Sequence, residues 1–318
     1  MSILLLGVGF IFLIKGADFL VNGSSALAKR IGVSDLMIGL TVVAFGTSMP
    51  ELLVNTFASL NGNTDISIGN IVGSNIFNIL CILGISSTIY PLTVTKGTVW
   101  REIPFGLLAA LVLGILANDV LFDKLDYSII SFIDGLVLMA FFAIFLYYIA
   151  CIYKNTDNNA LYGDEGKMSL AKSLFMILLG ITGLVFGGKM VVDGSVFIAS
   201  RLGVSQSLIG LTIVSAGTSL PELATTAVAA YKKNSDIAVG NIVGSNIFNI
   251  FFILSISALT TPLVIPTYFN ADILVLIASS LLLFLFMFTG KKRILDKWEG
   301  FVFLVLYALY IIYLIKRG

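Results

Sequence analysis

Glu51 and Glu222 each stand inside a long apolar stretch, and each ends the same kind of hexapeptide, Gly46-Thr-Ser-Met-Pro-Glu51 and Gly217-Thr-Ser-Leu-Pro-Glu222. An ionised carboxylate at membrane depth costs about 3 kcal/mol or more unless something compensates it. Neither glutamate has a lysine or arginine in its own stretch, so a cation must supply that charge. The plainer alternative is a protonated glutamate making a packing hydrogen bond. It explains one such residue better than two in matching settings. Pro50 and Pro221 lack an N–H and clash with the preceding turn, which frees the carbonyls near Gly46 and Gly217. Inside a membrane such carbonyls must face water, protein or an ion. Thr47, Ser48, Thr218 and Ser219 add hydroxyls within the same turn. Carbonyl, hydroxyl and carboxylate oxygens around one helix break are the ligands that hard cations such as Na⁺ and Ca²⁺ take.

A second motif, Gly-Asn-Ile-Val-Gly-Ser-Asn-Ile-Phe-Asn-Ile, occupies 69–79 and returns unchanged at 240–250. Gly69, Gly73 and Ser74 form a small-residue face suited to close helix packing. Packing does not account for Asn70, Asn75 and Asn78 or for their repeats Asn241, Asn246 and Asn249. Ser74 and Asn78 lie four apart, on one helix face. If that face meets the Glu51 helix, Ser74 and Asn78 complete a polar ring, with Ser245 and Asn249 doing so from the other copy.

These residues sit in a chain that is 58% hydrophobic and 12% charged, with mean hydropathy +1.03. A soluble chain carries roughly 25% charged residues. The sequence therefore predicts an all-α membrane protein. Windows of ~20 apolar residues give about ten spans, near 3–22, 36–58, 66–88, 102–119, 128–150, 172–196, 207–229, 237–259, 271–289 and 299–315, with the first and sixth extending a turn or two further. The N-terminus lacks a basic leader and a cleavage site, so it reads as the first span. Histidine is absent, which excludes histidine triads and histidine–metal sites. Cys81 reads as an inert buried thiol, and Asp134 as a residue that caps or packs. Lys15 with Asp18, and Lys189 with Asp193, read as ion pairs within their own helices.

Residues 33–80 align without a gap onto 204–251, with 28 of the 48 positions identical. A duplicated unit of five spans forces the second copy to enter the membrane from the opposite side, so the expected organisation is a first repeat over 1–153, a short cytoplasmic linker over 154–167 and an inverted second repeat over 168–318. Inverted repeats are characteristic of alternating-access carriers, with the site near the midplane where the copies meet. Thirteen lysines and arginines fall on one side of the predicted spans and four on the other. The positive-inside rule then places both termini outside the cell membrane, with Trp100 and Trp298 as interfacial anchors.

With both motifs present once per half, the chain resembles the calcium/cation antiporter superfamily, in its bacterial and archaeal sodium/calcium exchanger branch. The resemblance covers nearly the whole chain. It implies a Ca²⁺ site overlapping several Na⁺ sites, with Glu51 and Glu222 as ligands shared by both ions. It further implies that the backbone carbonyls of Thr47 and Thr218 complete the Ca²⁺ site. Ser48, Ser219, Ser74 and Ser245, with the carbonyls of Ala44 and Ser215, would serve flanking Na⁺ sites, and Asn78 and Asn249 would line the middle one. Potassium-dependent animal exchangers carry aspartate at the Asn249 position, so potassium-independent exchange is implied here.

The expected function is secondary antiport of Na⁺ against Ca²⁺, electrogenic at the three-for-one ratio the resemblance implies. A proton-driven divalent-cation antiporter is the nearest rival, because buried carboxylates can carry protons. A cation channel and an intramembrane enzyme fit less well: the halves pair within one chain, and no serine–lysine or aspartate-pair spacing supports hydrolysis. No enzyme activity, cofactor, nucleic acid or obligate protein partner is expected, only the two ions and the lipid bilayer.

Overall fold

The computed structural model describes residues 2–122, 127–155, 168–201 and 215–317. Most of them are helical. Besides a single helical turn at Asp119–Phe122, the helices in order are α1 (Ser2–Ile31), α2 (Asp35–Thr47), α3 (Met49–Leu60), α4 (Thr64–Ile89), α5 (Thr98–Leu116), α6 (Phe132–Asn155), α7 (Leu170–Arg201), α8 (Ser215–Thr218), α9 (Leu220–Tyr231), α10 (Ser235–Thr260), α11 (Phe269–Phe286) and α12 (Lys297–Arg317). Among the described residues eight helices are long and apolar enough to cross a membrane, or nine if the bent pair α2–α3 is one span. The remaining expected span, over 207–229, begins among residues outside the described set. So does most of the expected 154–167 linker.

The expected extensions are present: α1 and α7 run 30 and 32 residues. These two pack backbone to backbone through glycines. A Cβ on Gly16 would meet the Leu184 nitrogen at 2.8 Å, and one on Gly180 the Leu20 nitrogen at 2.6 Å. Gly9 and Gly180, and Gly16 and Gly187, are related by the 171-residue offset, so this seam is also duplicated.

Two short antiparallel pairings join the helix ends. Strand β1 (Leu92–Thr93) pairs with β4 (Ile294–Leu295), and β2 (Ser128–Ile130) with β3 (Leu263–Ile265). Each pairing links two connections that the ten-span reading puts on the same side of the membrane. The two central motif helices, α4 and α10, are the most deeply covered: 78% and 83% of their apolar windows are buried, against 22–44% for the other unbroken spans. The core therefore lies around the repeated motifs, with the remaining helices facing lipid.

Local chemistry explains the ends. Ser131 Oγ accepts the Asp134 N–H and Asp134 Oδ2 accepts the Ser131 N–H, a reciprocal cap that starts α6. The expected Lys15–Asp18 pair does not form; Asp18 binds Lys232 across the fold instead. Lys189 and Asp193 are not among the ion pairs of the described residues. For Asp18, a partner offered by tertiary packing, from the turn after α9, outcompetes the one three residues away. Cys81 is half-buried and free.

Candidate cation site

The chain breaks at Ser48, whose φ of −83° and ψ of 9° interrupt the helix, and at Ser219 with φ −89° and ψ 9°. Pro50 and Pro221 occupy the first turn of the helix that follows, where a missing N–H costs least. At the first break α2 and α3 bend by 48°. Both glutamates then fall in the opening turn of α3 and α9, where the helix dipole favours negative charge. Both are fully buried.

The two breaks are interlocked. Ser48 Oγ donates to Glu222 Oε1 at 2.8 Å, and Ser219 Oγ donates to Glu51 Oε1 at 2.9 Å. Thr47 Oγ1 donates to Asn241 Oδ1 at 3.0 Å, and Thr218 Oγ1 to Asn70 Oδ1 at 3.2 Å. Asn78 Nδ2 donates to Asn246 Oδ1 at 2.9 Å, and Asn249 Nδ2 to Asn75 Oδ1 at 3.0 Å. Asn75 Nδ2 and Asn246 Nδ2 each donate to the other's backbone carbonyl at 3.4 Å. Each of these bonds has a counterpart at the 171-residue offset, and each crosses between the halves.

Among the described residues, six of the buried oxygens without a hydrogen-bond partner belong to the repeated motifs: Glu51 Oε2, Glu222 Oε2, Ser74 Oγ, Ser245 Oγ, Asn78 Oδ1 and Asn249 Oδ1. A buried polar atom left unpaired costs about 1–3 kcal/mol, and more when charged. Six in three symmetric pairs form a set of acceptors suited to a positive guest. No lysine or arginine supplies the charge, since the ion pairs among the described residues are Arg101–Glu102, Lys232–Asp18 and Arg317–Asp272. Among the described residues no group of three or more His, Cys, Asp or Glu exists, so any cation held here is held mainly by neutral oxygens.

Thr47, Ser48, Glu51, Asn78, Thr218, Ser219, Glu222 and Asn249 thus each take part in a hydrogen bond that crosses between the halves. Ser74 and Ser245 are buried on the same motif helices. The Ala44 carbonyl accepts the Ser48 N–H at 3.0 Å and the Thr47 hydroxyl at 3.3 Å, so it is not a freed carbonyl in this conformation. Ser215, its equivalent in the second half, opens α8. The sequence singles out Asn70, Asn75, Asn241 and Asn246 without giving them a task. They accept or donate the bonds that aim the threonine hydroxyls and the Asn78 and Asn249 amides, as outer partners of a metal site commonly do. Their signal in the sequence is identity across the two copies.

The widened helix turns carry no sequence signal. The α4 helix takes π geometry over Phe77–Leu83, α10 over Phe248–Ile253, and α2 over Gly39–Val43. Asn78 and Asn249 sit at the second residue of their π segments, where the extra residue per turn re-aims side chains. Close approach does follow from the motif glycines. A Cβ on Gly244 would lie 2.7 Å from the Leu40 carbonyl, and one on Gly240 2.9 Å from the Leu36 carbonyl. Among the described residues Gly69 makes only ordinary contact, with Phe269.

A multi-pass helical membrane protein with an oxygen-lined centre at paired helix breaks has the architecture of a cation carrier. A family model described as sodium/calcium exchanger protein matches residues 1–150 and 172–316. The chain is 34% identical to the sodium/calcium exchanger MaX1 of Methanosarcina acetivorans, with 98% of each chain covered. It is 36% identical to the inner membrane protein YrbG of Escherichia coli over 87% of this chain and 86% of that one. A solved structure of the sodium-calcium exchanger NCX_Mj, soaked with Na⁺ and Ca²⁺, matches with a TM-score of 0.82 at 35% identity, covering 98% of this chain and 97% of that chain. The chain belongs to the sodium/calcium exchanger family.

Proposed function

We propose that this chain exchanges Na⁺ for Ca²⁺ by alternating access, at the centre formed by Glu51 and Glu222. The observation that carries the reading is the six unpartnered buried oxygens, two of them carboxylate, arranged in symmetric pairs. Two carboxylates neutralise one Ca²⁺, so the Ca²⁺-loaded centre is close to neutral. The same neutral oxygens, used in smaller groups, suit Na⁺. Ser48, Ser219, Ser74 and Ser245 flank the carboxylates as Na⁺ ligands, with the carbonyls of Thr47 and Thr218 on Ca²⁺ and those of Ala44 and Ser215 further out. Taking Ala44 as a ligand requires its carbonyl to share or release its helical hydrogen bonds.

Three Na⁺ per Ca²⁺ places one extra positive charge in the centre, so one net charge crosses per cycle. A membrane potential then contributes roughly 2.3 kcal/mol per 100 mV. The duplication and the five-span spacing support two inverted repeats, 1–153 and 168–318, joined by a cytoplasmic linker. The lysine and arginine bias supports both termini outside a cell membrane. Asn249 in place of an aspartate supports exchange without K⁺.

The test is uptake of radiolabelled Ca²⁺ into liposomes holding the purified protein, with internal Na⁺, internal K⁺ or a pH step compared. Uptake should require internal Na⁺, persist when choline replaces K⁺ on both sides, and change with a clamped potential. Uptake driven equally well by a pH step in Na⁺-free buffer would establish the proton-driven alternative.

A further inference from the structure

Helices α3 and α4 meet along a ladder of polar side chains. Glu51, Asn55 and Ser59 recur every four residues on α3; Ser67 meets them from α4, and Asn70 and Ser74 follow it on the same side of that helix. All are buried. Ser59 Oγ and Ser67 Oγ are hydrogen-bonded at 3.0 Å, and Ser67 Oγ reaches the Asn55 carbonyl at 3.4 Å. The same seam between α9 and α10 is built from Glu222, Thr226 and Ala230 against Ala238, Asn241 and Ser245. Its outer rung is therefore methyl groups, with Ala230 and Ala238 fully buried.

The middle rungs differ as well. In the second half Asn241 Nδ2 donates directly to Thr226 Oγ1 at 3.0 Å. In the first half Asn55 turns its Nδ2 onto the Glu51 carbonyl at 2.9 Å, and Asn70 Oδ1 accepts from Thr218. Those bonds set the amide orientations. They leave Asn55 Oδ1, an acceptor, and Asn70 Nδ2, a donor, both buried and both without a partner. Their residues are 0% and 7% exposed. A cation suits the carbonyl and is repelled by the amide N–H. A water molecule suits both, accepting from one and donating to the other, with the serine pair beside it as a further partner. Buried waters typically make about three such bonds.

We infer that Asn55 and Asn70 hold a buried water molecule, and that the α3–α4 seam brings water within one helical turn of Glu51 from the face bearing the 61–63 turn. Among the described residues the second half has no counterpart, because the Thr226–Asn241 bond and the paired alanines seal it. The plainer role for such a ladder is packing glue between helices, and the two roles predict opposite results.

Amide hydrogen exchange of the whole protein in lipid nanodiscs, followed by mass spectrometry, separates them. Peptides spanning 51–67 should exchange at least tenfold faster than those spanning 222–238. The variant Asn55→Thr/Ser59→Ala/Ser67→Ala copies the second half and should slow exchange in 51–67 toward the rate of 222–238. If the triple variant does not fold, Asn55→Thr alone tests the same rung. Equal protection of the two segments in the native chain would overturn the inference. So would exchange unchanged or accelerated in the variants, the result expected when glue is removed.

Discussion

At the centre of the molecule Ser48 binds Glu222 and Ser219 binds Glu51, so each half completes the other. Further out the halves part company. Lys232 holds Asp18 and Asn22, tying α1 to the turn after α9, with Nζ 2.7 Å from Asn22 Oδ1. Nearby, Asn234 Nδ2 donates to Asp35 at 2.6 Å and to Ser25 at 3.3 Å. The positions equivalent to Asp18, Asn22 and Lys232 are Lys189, Asp193 and Asn61, and they form no such tie among the described residues. Symmetry is kept at the centre, where a serine hydroxyl of each copy binds the carboxylate of the other. It lapses where each copy meets only its own face of the membrane, and among the described residues the Lys232 tie to α1 has no counterpart on the opposite face.

The sharpest way to break the central symmetry is to remove one carboxylate. Glu51→Gln and Glu222→Gln should each lower Na⁺-dependent Ca²⁺ flux by two orders of magnitude or more. An uncompensated charge in a buried site costs about 3–5 kcal/mol. Flux in proteoliposomes, with gel filtration to confirm a folded protein, checks both. Near-normal transport by either variant would show that the halves are not equal partners.

A smaller effect is expected from the residues that aim the ligands. Asn75→Ala should leave the Asn249 amide without its acceptor, and Asn246→Ala should do the same to Asn78. Each should weaken apparent Ca²⁺ affinity by about ten- to a hundredfold, the usual range for such outer partners. Concentration dependence of flux measures this, and the two variants should agree within a factor of a few. A large difference between them would place the Ca²⁺ closer to one half.

At the edges the expected changes are small and unequal. Lys232→Ala removes an exposed ion pair whose worth is at most about 1 kcal/mol. It should alter the ratio of apparent Ca²⁺ affinities on the two membrane faces by up to roughly fivefold, while Asn61→Ala leaves that ratio unchanged. Flux from oriented vesicles in each direction reads the ratio. Equal responses would show that the two faces are held alike.

The smallest effect concerns a turn. Lys233 has φ 60° and its counterpart Gly62 has φ 72°, so the same turn is made with and without a side chain. A non-glycine residue in this region costs about 1–2 kcal/mol, partly offset by glycine's freedom in the unfolded chain. Lys233→Gly should raise the thermal midpoint slightly, and Gly62→Lys should lower it.

Much of the site is legible in the amino-acid sequence. Glu51, Glu222 and the serines and threonines around them stand out because a charge within an apolar stretch is costly, and because the setting occurs twice. The asparagines stand out for the same reason, but their tasks do not. Asn75 could as well have packed, bonded lipid-facing backbone or lined the site, and only its partner across the repeat decides among these. For Asp18 local spacing offers Lys15, whereas folding offers Lys232, held in place by Asn22, and the distant partner wins. The α3–α4 ladder is present in the letters as Ser59 and Ser67 against Ala230 and Ala238, yet only burial and unpaired atoms give that difference a meaning.

Composition, span length and the repeat are properties of short windows and of the chain compared with itself. By themselves they determined a helical membrane protein of about ten spans, its duplication, and the two carboxylates at its centre. The helix breaks at Ser48 and Ser219 belong with them, since proline chemistry acts within one turn. Which hydroxyl meets which carboxylate, which amide is turned by which neighbour, and where α4 and α10 widen to π geometry were decided by tertiary structure alone. Those choices depend on groups far away in sequence, and on the cost of leaving a buried polar atom unpaired, which exists only once the helices have closed around it.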